Sequence, residues 1–230
     1  MNKKKIFILI AIVLILVLIF AIAFFIKNNY KNFKIGNTNI NKNIKEIEEY
    51  ILNISSYSAK ISVEVQSNKN KNKYMISQQY IAPNIEKQVV EEPSNIAGLE
   101  TIYDGKDLKI NNTKLNLNTI YENYQYITNN YLWLNSFIED YKNGIETGKN
   151  DLKEEKDAVI METKNSDEGN KYICYKRLYI DKKTCNPIKM LVQDINQNTI
   201  VYISYNEIKI NGLKENDVLA FKSKTIAKQI

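Results

Sequence analysis

Ile61-Ser62-Val63-Glu64-Val65-Gln66 is the stretch whose reading decides the fold. On an extended chain Ile61, Val63 and Val65 fall on one side and Ser62, Glu64 and Gln66 on the other, the period of two of a half-buried strand. Just before it the period is helical: Ile47, Tyr50, Ile51 and Ile54 stand at i, i+3, i+4 and i+7 from a start at Ile44. Asn43 suits the cap, Glu46, Glu48 and Glu49 suit the positive end of the dipole, and Ser55-Ser56 closes the helix. Beyond the stretch the alternation resumes. Asn68 to Lys73 makes a turn, Tyr74, Ile76 and Tyr80 continue on a second strand, and residues 85–91 and 99–103 supply two more. Asp104-Gly105, between Tyr103 and Leu108-Lys109-Ile110, signals a hairpin because glycine accepts the positive φ of a tight turn. A short strand follows around Leu115 and Leu117.

A second helix interrupts the strands, with Leu134, Phe137, Ile138 and Tyr141 in the same helical spacing. Asn129 or Asn130 is its expected cap and Asn143-Gly144 its expected stop. Residues 145–157 are charged and read as a mobile loop; strand-like runs follow at 158–164, 171–181, 187–194 and 199–210, with Val218 to Phe221 as a last edge strand. Helix, strands, helix, strands within one domain predicts an α+β fold over 44–230, one large antiparallel sheet with helices on one face.

The amino end has a different character. Ile6 to Ile26 is 21 residues without a charged or polar side chain, and as a helix it would span roughly 31 Å, matching a hydrocarbon core of about 30 Å. Lys3, Lys4 and Lys5 favour a cytoplasmic position for residues 1–5. Ala21-Ile22-Ala23 resembles a signal-peptidase site, but the run continues through Phe24, Phe25 and Ile26 and exceeds the usual signal-peptide core of about 7–15 residues. Residues 6–26 therefore read as an uncleaved transmembrane signal anchor, 27–43 as a polar tether, and the rest as an exported domain. With no cysteine near the anchor, lipid attachment at a processed amino-terminal cysteine is not expected.

Composition removes several functions. Histidine is absent, so no histidine triad, histidine zinc site or imidazole acid–base pair is available. Three of the 32 basic residues precede the apolar run, leaving 29 against 26 acidic ones, a net +3; with Arg177 the only arginine, nucleic acid is not an expected partner. Gly144-Ile-Glu-Thr-Gly148-Lys149 is one residue short of a phosphate loop, and Asn150 stands where Ser or Thr would bind magnesium. Glu139-Asp140, Glu154-Glu155 and Glu91-Glu92 read as solvated charge. Cys174 lies about seven residues along the strand from the turn that holds Cys185, more than about 20 Å against a limit of ~7 Å, so two free thiols are expected, Cys174 partly buried. No catalytic residue, metal ligand or cofactor is expected. The candidate site is aromatic: Tyr121, Tyr124, Tyr126, Tyr131, Trp133, Phe137 and Tyr141 crowd around the second helix, as core packing or as an apolar concavity or partner surface.

Several of these segments resemble a known family. Ile44-Lys-Glu-Ile-Glu-Glu-Tyr-Ile-Leu-Asn-Ile-Ser-Ser-Tyr57 with Ala59-Lys-Ile-Ser-Val-Glu-Val65, Tyr103-Asp-Gly-Lys106 with Leu115-Asn-Leu117, Ser136-Phe-Ile-Glu-Asp-Tyr141, and Leu178-Tyr-Ile-Asp-Lys-Lys-Thr184 with Pro187 resemble the germination lipoprotein GerS family of spore-forming bacteria, over roughly residues 44–212. That family is related to the LolA/LolB-type lipoprotein carriers. The resemblance implies a curved, incomplete antiparallel barrel with helices on its open side. It also implies a non-catalytic sporulation protein that binds and activates a CwlD-type N-acetylmuramoyl-L-alanine amidase, so that muramic-δ-lactam is made in the spore cortex. A carrier of lipid or lipoprotein is the alternative it implies. The expected place is the extracytoplasmic side of the forespore membrane or spore envelope, and self-association is compatible with this reading. Two features depart from the family: a transmembrane-length run replaces the lipidated cysteine, and Cys185 occupies a turn where glycine is commoner.

Overall fold

Asn43 caps the first helix as expected, its Oδ1 accepting from Lys45 N–H at 3.3 Å; the computed structural model describes residues 43–67, 69–112, 114–125, 130–165 and 170–219. Helix α1 (Ile44–Leu52) stops at Asn53, and β1 (Ser56–Gln66) starts at once with Tyr57, Ala59, Ile61 and Val63 buried and Ser58, Lys60 and Ser62 half-buried on the other face. Then come β2 (Lys71–Ile81), β3 (Ile85–Glu92), β4 (Glu100–Asp104), β5 (Leu108–Asn112) and β6 (Leu117–Tyr121), helix α2 (Leu134–Thr147), and β7 (Asp151–Glu154), β8 (Ala158–Lys164), β9 (Tyr175–Asp181), β10 (Pro187–Gln193) and β11 (Thr199–Ile210). A short helix α3 (Glu215–Leu219) follows and packs against β3 and β2 through buried Val218.

All eleven strands form one antiparallel sheet in the order β6-β5-β4-β3-β2-β1-β11-β10-β9-β8-β7. Two meanders are thus joined by the β1–β11 ladder, which runs from Tyr57 opposite Ile210 to Val65 opposite Val201. The sheet is open, since β6 and β7 do not pair with each other. It also curls. Asn135 of α2 donates to Glu86 on β3 at 3.2 Å, and the next residue, Ser136, receives Lys176 of β9 at 2.8 Å. Five strand spacings separate β3 from β9, about 24 Å on a flat sheet. Adjacent helical residues reach both only if the sheet wraps round the helix.

The core lies between that concave face and the helices. Ile47 and Ile51 of α1 and Leu134, Phe137, Ile138 and Tyr141 of α2 pack with Ile61, Met161, Leu178, Ile180, Met190, Val192, Val201 and Ile203. Helix α1 lies against α2, β7 and β8.

Four expectations need correction. The expected stop at Asn143-Gly144 is passed, and α2 ends at Gly148 with φ +63°. Gly144 is glycine for another reason: a Cβ there would overlap Asn150 Oδ1 and stand 2.9 Å from Thr163 Oγ1, so the helix needs it to approach β8. Residues 145–157 are not one loop, because 145–147 finish the helix and Asp151–Glu154 form β7 as an edge strand whose charged side chains hide the usual alternation. Lys171 to Cys174 precede β9 rather than belonging to it. Val218 and Leu219 are helical, not strand, following the first-turn acids Glu215 and Asp217. Among the described residues no helix is long and apolar enough to cross a membrane. The span expected at 6–26 and the tether expected from residue 27 lie outside the described residues, apart from Asn43.

Candidate functional site

The aromatic cluster of the sequence divides in two. Trp133, Phe137 and Tyr141 are 3%, 0% and 1% exposed and belong to the core. Trp133 occupies the cap position of α2 without a capping hydrogen bond from its side chain. Asn130 instead forms a preceding turn, its Oδ1 accepting from Leu132 N–H and its carbonyl from Trp133 N–H. The cap is supplied from the sheet: the buried Tyr57 hydroxyl accepts from Leu134 N–H at 3.1 Å. Tyr57 also meets Trp133 and Tyr80, ring centroids 6.4 and 5.5 Å away. Further along, Phe137 and Tyr141 are 5.8 Å apart, and the Tyr141 hydroxyl donates to Glu48 Oε1 at 2.6 Å, which ties α2 to α1. Burial raises the Tyr141 and Tyr57 phenols well above their ordinary value, with Glu48 adding to the effect at Tyr141. Burial likewise pushes Tyr80 up to about 12, helped by Glu139 and Glu86. These phenols stay neutral at any physiological pH and serve as packing groups with one fixed hydrogen bond.

A buried ionic group beneath α2 corrects the expectation that Asp140 is solvated charge, since its side chain is buried. Lys176 Nζ lies 2.6 Å from Asp140 Oδ2 and 2.8 Å from Ser136 Oγ, with the two charged side chains 1% and 5% exposed. Thr163 Oγ1 adds bonds to the Asp140 carbonyl and to Asn150 Oδ1. Burial lowers the Lys176 pKa, and the pull of Asp140 opposes it. A lysine beside a serine can act as a base only when neutral and reachable; here the carboxylate favours the charged form and the group is closed off, so it pins α2 to β9. Its sign in the sequence is parity: Lys176 shares the alternation of Leu178 and Ile180, and Asp140 sits between Phe137 and Tyr141 on the apolar helix face.

Tyr121 and Tyr124 lie elsewhere. Tyr121 is half-exposed at the end of β6, and Tyr124 bridges it to Tyr103, with both centroid separations 6.3 Å. Tyr126 lies outside the described residues. The β5–β6 hairpin is held by Asn112 Oδ1, which accepts from Lys114 and Leu115 N–H, and the segment after β6 by Asp107 Oδ1 accepting from Asn123 N–H. Around these rings the edge exposes apolar side chains: Leu115 54%, Leu117 37%, Ile120 56% and Tyr121 49%. An edge strand beside exposed apolar side chains has the features a contact surface uses. Cys174 and Cys185 are both free, as expected; Cys185 is the more buried and sits at φ +57° in the β9–β10 turn. Among the described residues there is no group of three or more His, Cys, Asp or Glu placed to hold a metal ion.

No protein-family model matches the chain, and no curated protein does. Solved structures do. An uncharacterised conserved protein of Thermus thermophilus is 13% identical with a TM-score of 0.49, over 79% of this chain and 93% of its own. The GerS lipoprotein, in the structure of the Clostridioides difficile CwlD amidase in complex with it, is 26% identical with a TM-score of 0.45, over 71% of this chain and 91% of its own. A LolA-superfamily protein of Nitrosomonas europaea is 12% identical with a TM-score of 0.39, over 78% and 98%. The chain is thus similar to GerS and to LolA-superfamily proteins, the relationship its segments resemble.

Proposed function

We propose that this chain is a membrane-tethered, non-catalytic binding protein that docks and activates a CwlD-type cortex amidase during sporulation and so supports muramic-δ-lactam formation. The observation that carries the contact role is the filled hollow: Trp133, Leu134, Phe137 and Tyr141, none more than 3% exposed, occupy the concave side of the sheet. A carrier of acyl chains needs that space open, so the interior fill counts against the alternative and leaves the outer surfaces to act. The amidase is the partner named for the similar GerS chain, and the GerS-like segments of the sequence fall on α1, β1, the β4–β5 and β5–β6 hairpins, α2 and the β9–β10 hairpin.

The test is to co-purify the full chain with the amidase and to measure δ-lactam in cortex peptidoglycan of a strain lacking this protein. Retention of the amidase and loss of lactam are expected. Normal lactam in that strain would remove the proposal. Native mass spectrometry of the mildly extracted chain separates the carrier reading, which requires bound lipid.

A further inference from the structure

Four segments meet at one end of the sheet. Val65 lies opposite Val201, Gln193 opposite Thr199 and Tyr175, and Lys164 opposite Tyr175, so the β1–β2, β8–β9 and β10–β11 connections share that end. The end of α2 joins them, because Gly144 lies against Thr163 near the end of β8. Three of these segments hold an apolar side chain out to water: Tyr172 is 77% exposed, Ile195 56% and Ile145 54%. Two of them lean together, Ile195 N–H donating to the Lys171 carbonyl at 3.2 Å. Lys69, Lys164 and Lys171 stand on or beside the same connections, without an ion pair among the described residues. Glu64 is taken by Lys71 and Lys73, and Asp194 accepts from Asn196 and Asn198 N–H within its own turn. Asp167 and Glu168 lie outside the described residues.

The chain also enters the domain from this side. Ser55, just after α1, donates its N–H to Asn211 Oδ1 beyond β11, and its carbonyl accepts from Ala82 N–H beyond β2, both at the opposite end. Glu48, earlier in α1, meets Tyr141, one turn before Ile145. Helix α1 therefore starts towards the Ile145 end.

We infer that this end docks on the lipid surface, with Tyr172, Ile195 and Ile145 in the interfacial layer and the lysines against anionic head groups. The inference rests on the anchor proposed above for residues 6–26. The 17 residues between Ile26 and Ile44 would as a coil span about 20–25 Å. β1 alone, with 11 residues, is about 36 Å long. An anchored chain thus has the Ile145 end within ordinary reach of the bilayer and the opposite end beyond it. The side chains suit that place: tyrosine carries an apolar ring with a polar tip, isoleucine is wholly apolar, and lysine buries its stem while its ammonium meets phosphate. The β4–β5 and β9–β10 turns, where Ile85 lies opposite Asp104 and Pro187 opposite Ile180, then face away from lipid and towards a partner enzyme.

Depth-dependent quenching tests the orientation. The full chain, with Cys174→Ser and the buried Cys185 retained, carries a nitrobenzoxadiazole label at Asn196→Cys on the β10–β11 tip or at Lys183→Cys on the β9–β10 turn. It is reconstituted in nanodiscs of phosphatidylcholine and phosphatidylglycerol containing doxyl-labelled lipid. Quenching about threefold stronger at 196 than at 183 is expected. Tyr172→Ser with Ile195→Ser should bring 196 down to the level of 183 while far-UV circular dichroism and the amount of chain in the nanodiscs stay unchanged. Equal quenching at the two positions, or quenching at 196 indifferent to the double substitution, overturns the inference. So does a label at 196 that lipid leaves unquenched and added amidase perturbs, which would assign this end to the enzyme. A chain that fails to enter nanodiscs would sink the anchor reading instead, and the same comparison on added vesicles of that lipid mixture would still decide the docking.

Discussion

Asp140→Ala removes the carboxylate that faces the buried Lys176 ammonium at 2.6 Å. The two side chains are 5% and 1% exposed, so water cannot replace the lost partner. Ser136 Oγ at 2.8 Å remains as an acceptor but does not neutralise the charge. Breaking one side of a buried pair costs about 3–5 kcal/mol, against a total stability of about 5–15 kcal/mol for a domain of ordinary size. Asp140→Ala is therefore expected to lower the urea midpoint at pH 7 severely. Lys176→Met should be costly too, leaving the carboxylate stranded, whereas the double variant Asp140→Leu/Lys176→Met restores most of the loss because neither charge remains buried. The pH dependence separates the singles. Burial already lowers Lys176, and without Asp140 it lowers it further. In Asp140→Ala the folded state then binds fewer protons than the unfolded one above the folded Lys176 pKa, so its deficit shrinks as pH rises towards the unfolded lysine value. Lys176→Met has no buried lysine, so this recovery with rising pH is absent from it. Urea unfolding followed by circular dichroism from pH 5 to 10 reads all three. An Asp140→Ala cost below about 1 kcal/mol, or an additive double variant, would refute a desolvated lock between α2 and β9.

Gly144→Ala, which would strengthen most helices, should destabilise by about 1–3 kcal/mol in thermal unfolding, because its Cβ overlaps Asn150 Oδ1 and crowds Thr163 Oγ1. Tyr141→Phe leaves buried Glu48 without its 2.6 Å donor and should cost about 1–3 kcal/mol in the same measurement, with the helical circular dichroism signal retained. Burial acts to raise the Asp181 carboxyl, but Thr184 and Lys183 N–H and the Thr184 hydroxyl hold it below the ordinary value of 3.8. A carboxyl so depressed contributes stability above its unfolded pKa and loses it as pH falls through the folded one. Asp181→Asn should accordingly flatten the fall in urea midpoint below about pH 4, and an unchanged acid limb would count against the hairpin role.

Alternation and helical spacing were enough to place most of the architecture. Ile61, Val63 and Val65 with their polar neighbours define β1, and Ile47 and Ile51 define the buried face of α1. Asp104-Gly105 turns as glycine at φ +94° allows, and its carboxylate accepts from Lys106 and Asp107 N–H. These are local properties, since the periods of helix and strand follow from backbone geometry alone. Of the candidate site, only the presence of the aromatic cluster was legible. Its division was not, because burial depends on which strands curl over which rings. Trp133, Phe137 and Tyr141 went inside with α2, while Tyr121 stayed on an edge strand.

Sequence alone placed the first two helices and most of the strands and turns of this chain, and the absence of histidine limits its chemistry. Tertiary structure decided that α2 takes its cap from Tyr57, seventy-seven residues away in the chain, that Gly144 serves approach rather than termination, and that Lys176 meets Asp140 beneath a helix. It also decided that β6 rather than β7 is the uncharged open edge. Each of these depends on groups distant in sequence being brought within a few ångströms, and hydrogen bonding, desolvation and packing at that range act on neighbours in space, which no local periodicity encodes.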